Sequence, residues 1–263
     1  IKSLMDHQEK LHFALGRGRK RASIGVHDLA NLKPPFHVKA VSGETEFIPL
    51  AMDEPMSINQ ILEKHPKGID YAHLLEGFDL FPVIVDSNDS ILSFPPIING
   101  SHTTVTNQTR DFFIDVTGWD MRSCESSLML IASQLFERGG TIESVEVTDH
   151  NGDIANYPNG GAVLHKLPSE LLDGLLGRKL TDDEISVAIN RMGGKFMSRN
   201  GSEISLEMPR WRFDILHPVD LVEEIAIGHG YEDLGSDVPK APMTAIARGD
   251  GNLRRRIRDS MQG

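Results

Sequence analysis

The stretch Asp111-Phe112-Phe113-Ile114-Asp115-Val116-Thr117, followed at once by Gly118 and an amphipathic run, decides the fold. Its period-two alternation predicts a strand with Phe112, Ile114 and Val116 on one face and Phe113, Asp115 and Thr117 on the other. Beyond Gly118, Leu128, Ile131, Ala132 and Leu135 recur at helical spacing until Gly139-Gly140 ends the run. Short strands and helices interspersed along the chain are read as the α+β class.

Working outward toward residue 1, Leu4, Leu11 and Leu15 predict a helix stopped near Gly16, and strands are expected at 22–26 and 38–41, separated by Pro34-Pro35. Ser57 is placed to cap a short helix holding Ile61 and Leu62. Strands at 83–85 and 91–94 flank a turn at Ser87-Asn88-Asp89, and Pro95-Pro96 closes the pair. In the other direction, the Asn, Gly and Pro content of 151–161 suggests a domain boundary. After it come a short helix at 168–176 and a capping box, Thr181-Asp-Asp-Glu184, opening a helix that buries Ile185, Ala188, Ile189 and Met192. A hairpin over 195–208 turning at Arg199-Asn200-Gly201 and a last helix at 219–227 complete the reading. Two modules are therefore expected, 1–155 and 160–238, with 239–263 as a linker and the start of something further.

The chain has 263 residues, 39% hydrophobic and 25% charged, ample for one or two cores. No apolar run approaches the roughly 18–20 residues of a membrane span. A single cysteine, Cys124, excludes an internal disulfide framework and multi-cysteine metal sites, and fits a reducing compartment such as the cytoplasm. No secretory signal opens the chain, and Ile1 in place of Met reads as a piece of a longer protein. The net charge of −11 argues against general nucleic-acid wrapping, but residues 1–50 carry +3 and residues 51–150 carry −11. A phosphate contact would have to be local, at Arg17, Arg19, Lys20 and Arg21; the alternative is a solvated charged turn. Gly16-Arg17-Gly18 lacks the rest of a dinucleotide fingerprint. No Walker loop, metalloprotease helix or Gly-x-Ser-x-Gly elbow is present, and the eleven histidines show no ligand spacing.

Two groupings carry chemistry. Asp115 and Thr117 share a strand face and so can point into one pocket; alternatively they are satisfied polar groups, with Thr117 capping the next helix. Asp220, Glu223 and Glu224 fall on about one side of one helical turn, with Asp214 six residues earlier across His217-Pro218, and three or four oxygens converging there suit Mg²⁺. The other reading has Asp220 capping the helix and the glutamates complementing its dipole.

Taken together, Gly16-Arg-Gly-Arg-Lys-Arg21 with Ser23-Ile-Gly-Val-His-Asp28, His65-Pro-Lys-Gly68, Ser93-Phe-Pro-Pro-Ile-Ile-Asn-Gly100 and Phe113-Ile-Asp-Val-Thr-Gly118 resemble the beta subunit of phenylalanyl-tRNA synthetase of the archaeal and eukaryotic type. Pro209-Arg-Trp-Arg-Phe-Asp-Ile215, Asp220-Leu-Val-Glu-Glu224 and Gly230-Tyr231 resemble the same subunit, in the same order. The resemblance implies a mixed-sheet editing module followed by a small winged-helix-like α+β module, then the start of a catalytic-like domain. It implies proofreading hydrolysis of tyrosine attached to phenylalanine tRNA, with Asp115, Thr117 and Ser93 in the pocket. It further implies Mg²⁺ at Asp214, Asp220, Glu223 and Glu224, shared with an alpha subunit in an α2β2 assembly. Partners are then phenylalanine tRNA and that alpha subunit, in the cytoplasm and away from membranes. The chain has no class II ATP-binding motif and is not expected to aminoacylate by itself. The rival expectation is a non-catalytic tRNA-binding or subunit-assembly module.

Overall fold

The computed structural model describes residues 1–235 and 250–262. The chain opens with α1 (Lys2–Phe13), which buries Leu4, Leu11 and His12, and enters β1 (Ala22–Asp28). β2 (His37–Val41), β3 (Glu46–Phe47) and β4 (Met56–Ser57) lead to α2 (Ile58–Lys64). Ser57 caps α2 as expected: its hydroxyl accepts from the Gln60 backbone N–H, while the Gln60 side chain accepts from the Ser57 N–H. After α3 (Pro66–Tyr71) come β5 (Phe81–Val85), β6 (Ile91–Phe94), β7 (Ile98–Asn99) and β8 (Phe112–Gly118), and then α4 (Met121–Phe136).

β1 pairs antiparallel with β8 over seven residues. β2, β5, β6 and β7 form an antiparallel sheet in that order. Each side of this part has its own core. Phe47, Ile58, Ile61, Val83, Phe94 and Ile97 pack α2 and α3 onto the four-stranded sheet. Leu4, Leu11, Ile24, Val26 and Ile131 seat α1 and α4 on one face of the β1/β8 pair. A third cluster, Leu32, Ile84 and Leu92 with Phe36 and Phe113, joins the sheet to β8. At about 1.5–3 kcal/mol for each fully buried aliphatic side chain, these contacts make the two sheets one packed unit.

A hairpin follows, β9 (Val145–Thr148) and β10 (Ile154–Tyr157), turning at Asp149–Asp153. The sequence reading placed only a composition shift here. β9 carries a short alternation, Val145-Glu146-Val147-Thr148, but it spans only four residues and both valines are solvent-exposed. The second unit runs β11 (Val163–Pro168), α5 (Ser169–Leu176), α6 (Asp182–Arg191), β12 (Lys195–Asn200), β13 (Glu203–Met208) and α7 (Pro218–His229). Its sheet has the order β11-β13-β12, packed by Leu167, Leu172, Ile185, Ile189, Ile204, Leu206 and Ile225. The capping box at Thr181 and Glu184 forms as read. Met192 ends α6 half-buried rather than within its buried stripe, and both strands of the hairpin run further toward the turn than the spacing suggested. α6 and α7 approach closely at Gly228, where a Cβ would strike the Ala188 backbone.

Of the expected third segment, residues 239–249 and 263 lie outside the described residues; α8 (Gly251–Gln262) is a helix. Among the described residues no helix is long and apolar enough to cross a membrane.

Candidate functional site

The β1/β8 register sets the site. Ser23 lies opposite Thr117, Gly25 opposite Asp115 and His27 opposite Phe113. Because side chains alternate across a strand, these six share one face, while Ile24, Val26, Phe112, Ile114 and Val116 take the other, which is packed against α1 and α4. The polar face turns toward the four-stranded sheet, where the Phe113 ring packs tilted against Phe36 with ring centroids 4.3 Å apart.

Asp115 is 8% exposed and His27 not exposed at all. The His27 Nε2 lies 2.6 Å from Asp115 Oδ1, and its Nδ1 lies 2.8 Å from the Thr103 hydroxyl. That hydroxyl is also 3.0 Å from the Gly100 carbonyl. The chain of contacts therefore runs from Asp115, at the middle of β8, through His27 to a buried threonine. A Cβ at Gly25 would overlap Asp115 Oδ1 and lie 2.7 Å from His27 Nε2. Glycine at that position is what lets the carboxylate cross the strand to the imidazole. Among the described residues no hydrogen bond reaches the second oxygen, Oδ2.

Thr117 belongs to β8 and does not cap α4, whose N-cap is Asp120; Ser123 donates to the Asp120 carboxylate. The Thr117 hydroxyl carries no hydrogen bond among the described residues. Ser93 is buried in β6, its hydroxyl 3.4 Å from the Asn99 side chain. Asn99 in turn donates to the Val26 carbonyl at 3.4 Å, tying Ser93 to the strand that carries His27. The structure thus gathers Asp115 with His27 and Thr103, sets Thr117 two residues along the same face, and links Ser93 through Asn99. Sequence reasoning missed His27, Thr103 and Gly25. The available signal was the alternation of 22–28, which continues past Val26 and puts Ser23, Gly25 and His27 on one face.

The basic cluster divides. Arg19 is buried: its guanidinium donates to the Pro96 and Ile97 carbonyls at 3.1 and 2.9 Å, pairs with Glu9, and lies 4.5 Å from the Tyr71 ring centroid. It staples the loop after α1 to the turn after β6. Arg17, Lys20 and Arg21 remain exposed. Near Arg21, whose carbonyl accepts from the Trp119 N–H, the exposed rings of Trp119 and Phe78 stack.

The four carboxylates expected to hold Mg²⁺ are engaged elsewhere. Arg212 donates from Nε and Nη2 to Asp214 and from Nη1 and Nη2 to Glu224. The guanidinium holds the Asp214 carboxyl below its usual range, and both carboxylates raise the Arg212 value further. Asp220, the third residue of α7, accepts the Leu216 and His217 backbone N–H groups through Oδ2 at 2.7 Å each, which lowers its pKa; the N-cap of α7 is His217. Glu224 is buried and Glu223 exposed, so these neighbours do not converge. Among the described residues no group of three or more such ligands is placed to hold a metal ion. With a fixed cation already on two of its carboxylates, this donor set does not fit Mg²⁺ in the chain as folded. The expectation that Asp220 caps the helix is corrected as well: His217 is the N-cap, and Asp220 reaches back to its backbone N–H from the first turn.

Comparison with known proteins agrees with this architecture. Residues 1–149 match the B3/4 domain family, and residues 165–231 match the tRNA synthetase B5 domain family. The phenylalanine–tRNA ligase beta subunit of Methanococcoides burtonii is 46% identical over 94% of the chain, which covers 46% of that protein. That of Methanosarcina acetivorans is 47% identical over 91% of the chain and 44% of its own length. The chain thus spans a little under half the length of these relatives. An N-terminal fragment of the phenylalanyl-tRNA synthetase beta subunit from Pyrococcus horikoshii superposes with a TM-score of 0.82 at 34% identity, over 87% of this chain and 65% of that one. Through a B3/4 domain and a tRNA synthetase B5 domain in this order, the chain belongs to the phenylalanine–tRNA ligase beta-subunit family.

Proposed function

We propose that the β1/β8 face is a proofreading site that hydrolyses tyrosine from phenylalanine tRNA. The observation carrying this reading is Asp115: a buried carboxylate, anchored through one oxygen, with no hydrogen bond to the other among the described residues. Tyrosine is phenylalanine with one added hydroxyl, and an apolar pocket cannot strongly reject such an isostere. A second site that accepts a hydrogen bond from the phenol discriminates by roughly 10⁴–10⁵, because its acceptor is stranded when phenylalanine enters.

Asp115 Oδ2 is the acceptor for the phenol O–H in this reading, with Thr117 and Ser93 shaping the pocket and holding the ester and a water. Among the described residues no nucleophile–base pair faces outward from this face. Thr103 is buried on the far side of His27 from Asp115, the reverse of a hydrolase triad. Water is therefore the nucleophile. Its oxygen bonds to the ester carbonyl carbon, the bond from that carbon to the ribose oxygen breaks, and a water proton passes to the ribose oxygen, releasing tyrosine and intact tRNA. A ribose hydroxyl of the terminal nucleotide assists by positioning that water. Phenylalanine tRNA and an alpha subunit in an α2β2 assembly are the partners, in the cytoplasm. Aminoacylation and its Mg²⁺ belong to that assembly and not to this chain alone.

The rival reading, a tRNA-binding or assembly module without chemistry, draws on exposed Arg17, Lys20 and Arg21 beside the Trp119–Phe78 pair. Deacylation of Tyr-tRNA and Phe-tRNA, both on phenylalanine tRNA, separates the two. Hydrolysis selective for the tyrosyl ester and lost in Asp115→Ala supports editing. If Asp115→Ala hydrolyses the tyrosyl ester as the parent does in the intact assembly, Asp115 is not the acceptor. Salt-dependent tRNA binding with no hydrolysis supports the rival.

A further inference from the structure

We propose that His27 is a positioning residue that sets the tyrosine-over-phenylalanine discrimination of this site, an inference that rests on the proofreading reading above. An ionised carboxylate only accepts hydrogen bonds, so with Asp115 ionised the 2.6 Å contact requires the proton on His27 Nε2. The far side of the ring permits two arrangements. Either Thr103 donates to Nδ1 of a neutral imidazole, or it donates to the Gly100 carbonyl and Nδ1–H of an imidazolium donates to Thr103. Both keep Nε2–H on Asp115 Oδ1.

The consequence is geometric. A carboxylate free to rotate offers either oxygen in many directions, and ordering it on substrate binding costs entropy. His27 occupies Oδ1 and leaves Oδ2 as the acceptor at one position. The surroundings are built for this contact. Gly25 clears the path, Thr103 holds the imidazole from behind, and the Phe113 ring centroid lies 6.1 Å from that of His27. A histidine with no solvent exposure, both ring nitrogens engaged, and one of them on the single carboxylate of the polar face is an orienting device.

The test uses the full-length beta subunit assembled with its alpha partner, measuring kcat and KM for deacylation of Tyr-tRNA and Phe-tRNA. His27→Gln places an N–H near the position of Nε2, and His27→Leu fills similar volume without a donor. The expected result is that His27→Leu loses tyrosyl-ester kcat/KM by about 10–100-fold with Phe-tRNA hydrolysis unchanged, while His27→Gln restores most of the selectivity. A folded His27→Leu enzyme with the parent's selectivity overturns the proposal. Should the leucine variant fail to fold, His27→Asn, whose amide falls short of Asp115, is compared with His27→Gln, and equal selectivity of the two overturns it. Asp115→Ala is run alongside. If it is harmless, Asp115 is not the acceptor and the part of the proofreading reading on which this proposal rests fails; if it abolishes selectivity while His27→Leu keeps it, only the role of His27 is lost.

Discussion

Gly25 and Asp115 share one space: the carboxylate of Asp115 lies where a side chain on Gly25 would be, directly across the strand pair. The polar face of the β1/β8 pair is thus defined as much by a missing side chain as by those present. Gly25→Ala is expected to displace Asp115 from His27. The overpacking costs about 1–3 kcal/mol of stability, and tyrosyl-ester hydrolysis falls more than the loss of folded protein accounts for. Denaturant unfolding and deacylation on the same preparation check this. Full activity in a folded Gly25→Ala variant would show that Asp115 acts from another position.

Arg19 and its neighbours in sequence do different jobs. Arg19→Met removes donors from two carbonyls and a cation from the Tyr71 ring, and is expected to cost about 2–4 kcal/mol of stability. The salt dependence of tRNA binding should stay as it was. Alanine at Arg17, Lys20 and Arg21 should do the reverse, leaving the melting temperature within a degree or two while each lost phosphate contact lowers the slope of log K against log salt by about 0.7. Thermal melts and salt-titrated filter binding read both.

His12 predicts an acid-side loss of stability. Its Nε2 accepts the Ile24 backbone N–H at 2.8 Å, so the ring is held neutral at that nitrogen. Burial, and then the Arg19 guanidinium, push its pKa down from 6.5 to about 4. The folded-state value lies below the unfolded one. The contribution is therefore complete above pH 6.5 and declines as pH falls toward 4, where the unfolded chain binds a proton that the folded chain does not. Urea unfolding at a series of pH values between these limits should show the slope, and His12→Gln should flatten it.

Arg212 is expected to do internally what a bound cation would otherwise do. Arg212→Met strands the buried Glu224 carboxylate and should destabilise the second unit by about 3–5 kcal/mol. Millimolar Mg²⁺ should leave the melting temperature of the parent chain unchanged, since a ligand that binds only the folded state would raise it. A clear Mg²⁺-dependent rise would mean that the carboxylates exchange Arg212 for metal.

Cys124 offers a negative control for chemistry. Burial, then Asp120 and Glu125, raise its thiol to about 11. The thiolate is the reactive form, so alkylation by iodoacetamide near neutral pH should be slower than that of a free cysteine and should leave deacylation intact.

Local patterns carried much of the fold. The alternation of 111–117 determined which residues of β8 share the face that carries Asp115 and Thr117, because a pleated strand permits only two faces. The Ser57 and Thr181 capping boxes marked helix starts, since the unpaired N–H groups there need nearby acceptors whatever the rest of the chain does. The order of motifs along the chain was enough to point to the family. Other features were decided only by contacts between distant segments. His27 lies 88 residues from Asp115, and nothing at either position names the other as partner until β1 and β8 pair. Arg19 reads as one of four exposed cations until the turn at Pro96–Ile97 folds over it. Glu223 and Glu224 look equivalent in sequence; the rotation of about 100° between successive helical residues sends one to solvent and the other onto Arg212. Sequence by itself specifies the periodicities and caps, which act over a few residues. Which charge is buried, which is paired and which is left for a substrate depends on what the tertiary structure brings against it, because burial and pairing arise between segments that are remote in the chain.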